Sequence, residues 1–206
     1  RCCSLITQLV HERQIDLVVI ACNTASTIAL PALRSALSIP VVGVVPAINP
    51  AAILTQNHCI GLLATPATVQ RPYTSQLIAQ FAAHCQVLKL GVTELVIQAE
   101  RKMAGYEVDE QIIRDALQPL TNHSLPPDTL VLGCTHYPLL RPTLAQVASE
   151  LWGHRVMLVD SAGFVRYASP SSLDLLGWAP DELVGRAVRS LVHPDDIDHA
   201  LQHVAT

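Results

Sequence analysis

Short apolar runs alternate along the chain with longer segments whose apolar residues recur at helical spacing. Leu17 to Ala21, Val41 to Val45, Ile60 to Ala64, Gln86 to Leu90, Thr129 to Leu132 and Val156 to Val159 read as strands. Between them, helical patterns follow Cys22 to about Leu37, run from Ala47 to Leu54, and follow Gly133-Cys134 to about Leu151. Thr65-Pro66 is an N-cap followed by proline at the first helical position, and it predicts one helix reaching about Ala83. Thr93 is expected to cap a helix ending near Gly105, and Asp109 another reaching about Leu120, with 122–127 as a loop. Arg1 to Arg13 sets Cys2, Leu5, Ile6, Leu9 and Val10 on one helical face. Strands that alternate with helices imply an α/β fold with mainly parallel, doubly wound sheets, built as two units that share a cleft.

The alternation stops near Asp160 to Gly163. Beyond it a strand is expected over Phe164 to Tyr167, a short helix starts at Ser169-Pro170 and ends at Gly177, and Pro180-Asp181-Glu182 opens another. Shorter elements in a new order predict a domain boundary, with one region over 1–161 and a second over 162–206.

Half of the 206 residues are hydrophobic, enough for a sizeable core. A formal charge of -4, with 13 Lys+Arg and no basic cluster, gives no footprint of a nucleic-acid binder. The most apolar region, Ile15 to Leu33, is broken by Asp16, Asn23, Thr24, Ser26, Thr27 and Pro31, so it reads as strand plus helix and not as a membrane span. Six cysteines without regular spacing or a signal peptide suggest reduced thiols and a cytoplasmic location. An arginine at position 1 predicts a fragment or a processed product.

Two of those cysteines stand apart. Asp16 and Asp128 each open an apolar run that meets a cysteine six positions on, at Cys22-Asn23-Thr24 and Cys134-Thr135-His136. Each thiol is thereby expected where a parallel strand ends and a helix begins, the end of an open α/β sheet at which ligands bind. A helix N-terminus lowers a thiol's pKa, so both would be poised for proton transfer. Facing each other across a cleft, one could remove a proton from a carbon acid while the other delivered one to the opposite face, with no metal or organic cofactor. Taken singly, each cysteine also reads as a small buried hydrophobe, and Cys2, Cys3, Cys59 and Cys85 keep that reading.

Two other chemistries compete. Cys134 and His136 could both bind a metal, but no C-x-x-C or H-E-x-x-H motif is present and no zinc site is expected. Cys134 could instead be a nucleophile with His136 as its base, which leaves the first repeat unexplained.

The stretches VVIACNTASTIALPALRSALSIPVVGVVPAI from Val18, GLLATPATVQRPYT from Gly61 and PPDTLVLGCTHYPLLRPTL from Pro126 closely resemble glutamate racemases over about 1–161. The resemblance implies cofactor-independent interconversion of L- and D-glutamate, which supplies D-glutamate for bacterial peptidoglycan. It makes Cys22 and Cys134 the acid/base pair, with Asn23, Thr24, Thr135 and His136 contacting the amino acid or orienting the thiols. Thr65 and Glu100 match further active-site positions, beside plainer readings as a helix cap and an exposed helix charge. Glutamate is the expected partner; homo-oligomerisation stays open, and neither nucleic acid nor membrane is expected. The family's Asp-Ser-Gly-x-Gly-Gly and Pro-Tyr-Gly motifs do not occur here. The first unit is therefore expected to be incomplete, with little activity from the chain alone and a weakly stable N-terminal part.

The stretch from Gly163 to Val204 resembles the first half of a PAS sensor domain, through LLGW, ELVGR and HPDD. A partial α+β segment is implied there, with Trp178, Leu183, Leu191 and Val192 as core residues and His193 as a cap or packing residue. The alternative for the whole chain is thus a PAS-type sensor or interaction protein that carries a non-catalytic racemase-like segment.

Overall fold

The computed structural model describes residues 2–153, 156–160, 165–167 and 179–186. Two sheets organise them. The first has two parallel strands, β1 (Val18–Ile20) and β2 (Val41–Gly43), in the register Val18 to Val41. The second has five, β3 (Cys59–Ala64), β4 (Gln86–Gly91), β5 (Thr129–Leu132), β6 (Met157–Asp160) and β7 (Val165–Tyr167), in the order β4-β3-β5-β6-β7. All of its pairs are parallel except β6 with β7.

Side chains on successive strand positions point to opposite faces, and in β3, β5 and β6 both faces are buried. Leu63, Leu88, Leu130, Leu132 and Leu158 pack on one face against α6 (Glu94–Met103), α7 (Glu110–Thr121) and α8 (Arg141–Trp152). Ile60, Leu62, Val131, Met157 and Val159 pack on the other with α3 (Ile48–Leu54). The unit is doubly wound, as the alternation of the sequence implied.

The first sheet is much thinner. Leu30 and Leu33 of α2 (Asn23–Ala36) cover one side together with Ile20 and Val41. Val19 and Val42 are 59% and 49% exposed, and α1 (Cys2–Arg13) buries no residue completely. Two strands are marginal on their own.

Several expectations need correcting. The helix after Thr65 is two helices, α4 (Pro66–Val69) and α5 (Pro72–Phe81), because Pro72 lacks an N–H and starts a new first turn. The segment after Cys134 first makes a 3-10 turn, Tyr137–Leu140, before α8 begins ahead of Pro142. Thr93 stands before α6 in a helical conformation with no side-chain cap, whereas Asp109 does cap α7, accepting from the Gln111 N–H at 3.0 Å. Cys2 is exposed and not a buried hydrophobe. Of the expected second region, β7 and a helical turn at Pro180–Leu183 are described, and Leu183 is buried in the Ile60 cluster. The expected helix from Ser169 to Gly177 and the expectations for Trp178, Leu191, Val192 and His193 lie outside the described residues.

Asp128 ties the start of β5 to the turn that leads into β3. Its carboxylate accepts from Thr55 Oγ1 at 2.6 Å, Thr129 Oγ1 at 2.9 Å and the main-chain N–H groups of Gln56 and Asn57 at 2.7 and 2.8 Å. At the other end of the same strands, the Gly133 N–H donates to Leu63 O at 2.7 Å. A side chain at Gly133 would meet that carbonyl at 2.9 Å, so only glycine lets the end of β5 lie this close to β3.

Candidate active site

Both matched cysteines lie at C-terminal ends of parallel strands, but of different sheets. Cys22 follows β1, is exposed, and occupies the N-cap position of α2, whose Ser26 N–H bonds its carbonyl at 2.9 Å. Cys134 follows β5 and Gly133 and is 7% exposed. The two thiols are close enough that the charge of Cys22 would act on Cys134.

Burial pushes the Cys134 thiol up from its ordinary value. The His136 N–H pulls it down, Cys22 pushes it up further, and the Tyr137 N–H pulls it down again, with burial the largest of these effects. The expectation that a helix start would depress both thiols thus fails at Cys134, where lost hydration outweighs the N–H donors. Burial thus favours the protonated form of Cys134.

A side-chain chain leads away from that sulfur. His136 Nδ1 lies 3.8 Å from Cys134 Sγ, and His136 Nε2 lies 2.7 Å from Glu100 Oε1. A carboxylate only accepts, so Nε2 carries the proton and, in the neutral ring, Nδ1 turns its lone pair to the sulfur. In that tautomer Nδ1 could accept a proton from the sulfur, and the Glu100 carboxylate at Nε2 would offset the positive charge the ring then carries.

A second group joins the two units. Thr24 at the start of α2, Thr65 at the N-cap of α4 and Thr68 form a triangle of hydroxyls, with separations of 3.0, 2.9 and 3.0 Å. Thr65 also accepts from the Thr68 N–H, so its reading as a helix cap holds alongside its contact with Thr24. Asn23 is 1% exposed, and neither atom of its amide has a protein partner. Such a group is strained by about 1–3 kcal/mol until something bonds to it, which suits a contact to a polar ligand. Thr135 is exposed beside Cys134.

The fold therefore gathers Cys22 with Cys134, Thr24 with Thr65, and Glu100 with His136. Sequence reasoning missed Thr68, although Thr65-Pro-Ala-Thr68 has the spacing of an N-cap and the third helical residue. It also missed Tyr137, whose hydroxyl donates to Val92 O and whose burial anchors the turn after Cys134. Cys134 Sγ and His136 Nδ1 offer a metal at most two donors, because the far nitrogen of His136 is held by Glu100.

Each α/β unit carries a cysteine after a parallel strand, and the class this belongs to is given by the Asp/Glu/Hydantoin racemase family model, which matches residues 1–164. The chain belongs to that family. It is 52% identical over 165 residues to a glutamate racemase of Pectobacterium atrosepticum, covering 80% of this chain and 56% of that protein. It thus spans a little over half the length of the curated relatives it matches. Among solved structures it resembles Escherichia coli glutamate racemase in complex with L-glutamate and the activator UDP-MurNAc-ala, with a TM-score of 0.68 and 45% identity over 90% of this chain and 68% of that one. A glutamate racemase isoform of Bacillus anthracis gives a TM-score of 0.61 and 30% identity over 87% of this chain and 65% of that one. A PAS-fold family model matches residues 154–205, which overlaps the racemase match.

Proposed function

We propose that Cys22 and Cys134 flank the Cα of glutamate and interconvert its L and D forms. In one direction a thiolate removes the Cα proton while the thiol on the other face delivers its own, and the reverse direction exchanges these roles. One proton leaves carbon and one returns, so neither oxidant nor cofactor is consumed. The observation that carries this reading is the placement of Cys22 and Cys134 each at the C-terminal end of a parallel strand, in separate sheets, within range of each other's charge. Asn23, Thr24, Thr65, Thr135 and the N–H groups around Cys134 are the donors that would hold the carboxylates and the developing negative charge. The choice of glutamate follows the relatives, and D-glutamate for peptidoglycan, made in the cytoplasm, is the corresponding role. Six free cysteines suit a reducing compartment. No described helix is long and apolar enough to cross a membrane.

The test is exchange of the glutamate Cα–H in deuterated water, followed by NMR, with circular dichroism to follow racemisation. Glutamate is expected to exchange and aspartate not to; a chain that leaves both unexchanged overturns the reading. Slow turnover is expected, because β1 and β2, which hold Cys22, form a two-stranded sheet with one half-exposed side.

The Glu100–His136–Cys134 chain makes a separate prediction. His136→Asn removes the proton acceptor beside the buried thiol and is expected to slow exchange at the Cys134 face by about 100-fold or more. Glu100→Gln, which still bonds Nε2 but without charge, is expected to cost less, about 10-fold, since the exposed carboxylate is partly screened. Enantiomer-resolved exchange rates check both, and equal slowing at both faces would remove His136 from this role.

A further inference from the structure

At the opposite ends of the strands from the two thiols, the parallel register of β3 and β4 makes a second cluster. His58 immediately precedes β3, and His84 and Cys85 immediately precede β4; the register Cys59 to Gln86 sets these residues side by side. The Gln86 N–H donates to His58 O at 2.7 Å, and the Cys85 N–H donates to Ala82 O at 3.0 Å, so the main chain fixes both segments. His58 sits at φ 55, a left-handed conformation that a residue with a side chain rarely adopts. The two imidazoles meet edge to face, with centroids 5.7 Å apart. One donor atom from each of His58, His84 and Cys85 lies within 4.8 Å of the others.

We propose that His58, His84 and Cys85 form a binding site for a borderline-soft divalent metal of the Zn2+ type, with the fourth position open to solvent. Two imidazole nitrogens and one sulfur suit zinc, at about 2.0 Å for nitrogen and about 2.3 Å for sulfur, which places donors about 3.3–3.5 Å apart around a tetrahedron. Donors that lie within 4.8 Å of one another need a contraction of about 1.5 Å at most by that geometry, and His58 and His84 are exposed and free to make it. Magnesium and calcium are disfavoured, because the cluster offers no carboxylate oxygen. Asp128 adds a negative charge that reaches Cys85. Its oxygens are already engaged by Thr55, Gln56, Asn57 and Thr129, so it favours a cation from outside the ligand set. Cys59 is likewise committed, its thiol donating to Leu125 O at 3.3 Å. Nothing in the spacing of the sequence marks this cluster, since its members become neighbours only when the two strands pair.

Cobalt(II) titration of the full, reduced chain tests the site. One equivalent is expected to produce a sulfur-to-cobalt charge-transfer band with tetrahedral visible absorption, and Zn2+ is expected to displace it and to raise the thermal midpoint. Losing a residue that only supports a ligand costs a metal site about 10–100-fold, so losing a ligand in His84→Ala or Cys85→Ser is expected to weaken Zn2+ binding by about 100-fold or more. Cys134→Ser is expected to leave the spectrum unchanged. Absence of the charge-transfer band at one equivalent overturns the proposal. So does a band that survives His84→Ala and Cys85→Ser but disappears in Cys134→Ser, which would put the metal on the Cys134–His136 pair.

Discussion

Cys134→Ser is expected to lower glutamate racemisation by about 1,000-fold or more, and Cys22→Ser by a similar factor. A serine hydroxyl is too weak an acid to serve as the base, so each variant loses proton transfer on one face of Cα. The remaining thiol still works. It can remove the proton from its own face, exchange it with solvent and return a deuteron to the same face. Each variant should therefore place deuterium in one enantiomer without inverting it, and the two variants should label opposite enantiomers. Proton NMR resolved on a chiral phase reads this directly. If both variants still racemise, or if both label the same enantiomer, the two thiols are not opposed across the substrate.

The second large effect concerns stability. Asp128→Ala removes one carboxylate that accepts two hydroxyls and two main-chain N–H groups. A hydrogen bond to a charged group contributes about 1.5–3 kcal/mol, and the N–H groups of Gln56 and Asn57 would turn to water, so a net loss of about 3 kcal/mol is expected. For a chain of this size that corresponds to a fall in melting temperature of roughly 6–12 °C. Asp128→Asn, which keeps one acceptor oxygen, should fall between. Thermal melts of the three proteins decide the matter; a shift in Asp128→Ala below about 1 kcal/mol would mean that the turn at Thr55 to Asn57 holds without the carboxylate.

Much of the second unit was legible because its strands are apolar on both faces and its helices start at ordinary signals. Leu62 and Leu63 serve opposite cores, and a short continuous apolar run announces such a strand. The placement of Cys22 and Cys134 at strand ends was legible through the repeat of acid, apolar run and thiol. The electrostatics of Cys134 were not, because a dipole argument from chain position says nothing about how deeply the sulfur is buried. Pro72 was read through as part of a helix when it starts one. Glu100 and His136 were known as separate positions, but the hydrogen bond that joins them depends on α6 lying beside the turn at Tyr137, a packing fact with no local signature. His58, His84 and Cys85 illustrate the same limit: register, and not spacing, makes them neighbours.

The triangle of Thr24, Thr65 and Thr68 has a mechanical meaning. Each hydroxyl can donate to either neighbour, so the ring closes equally well in two rotational senses and imposes no polarity on the joint between the units. Exchanging such bonds for bonds to water changes the free energy by only about 0.5–1.5 kcal/mol each. The joint therefore behaves as a neutral latch. It ties the start of α2 to α4 and can part and re-form without separating a charge pair.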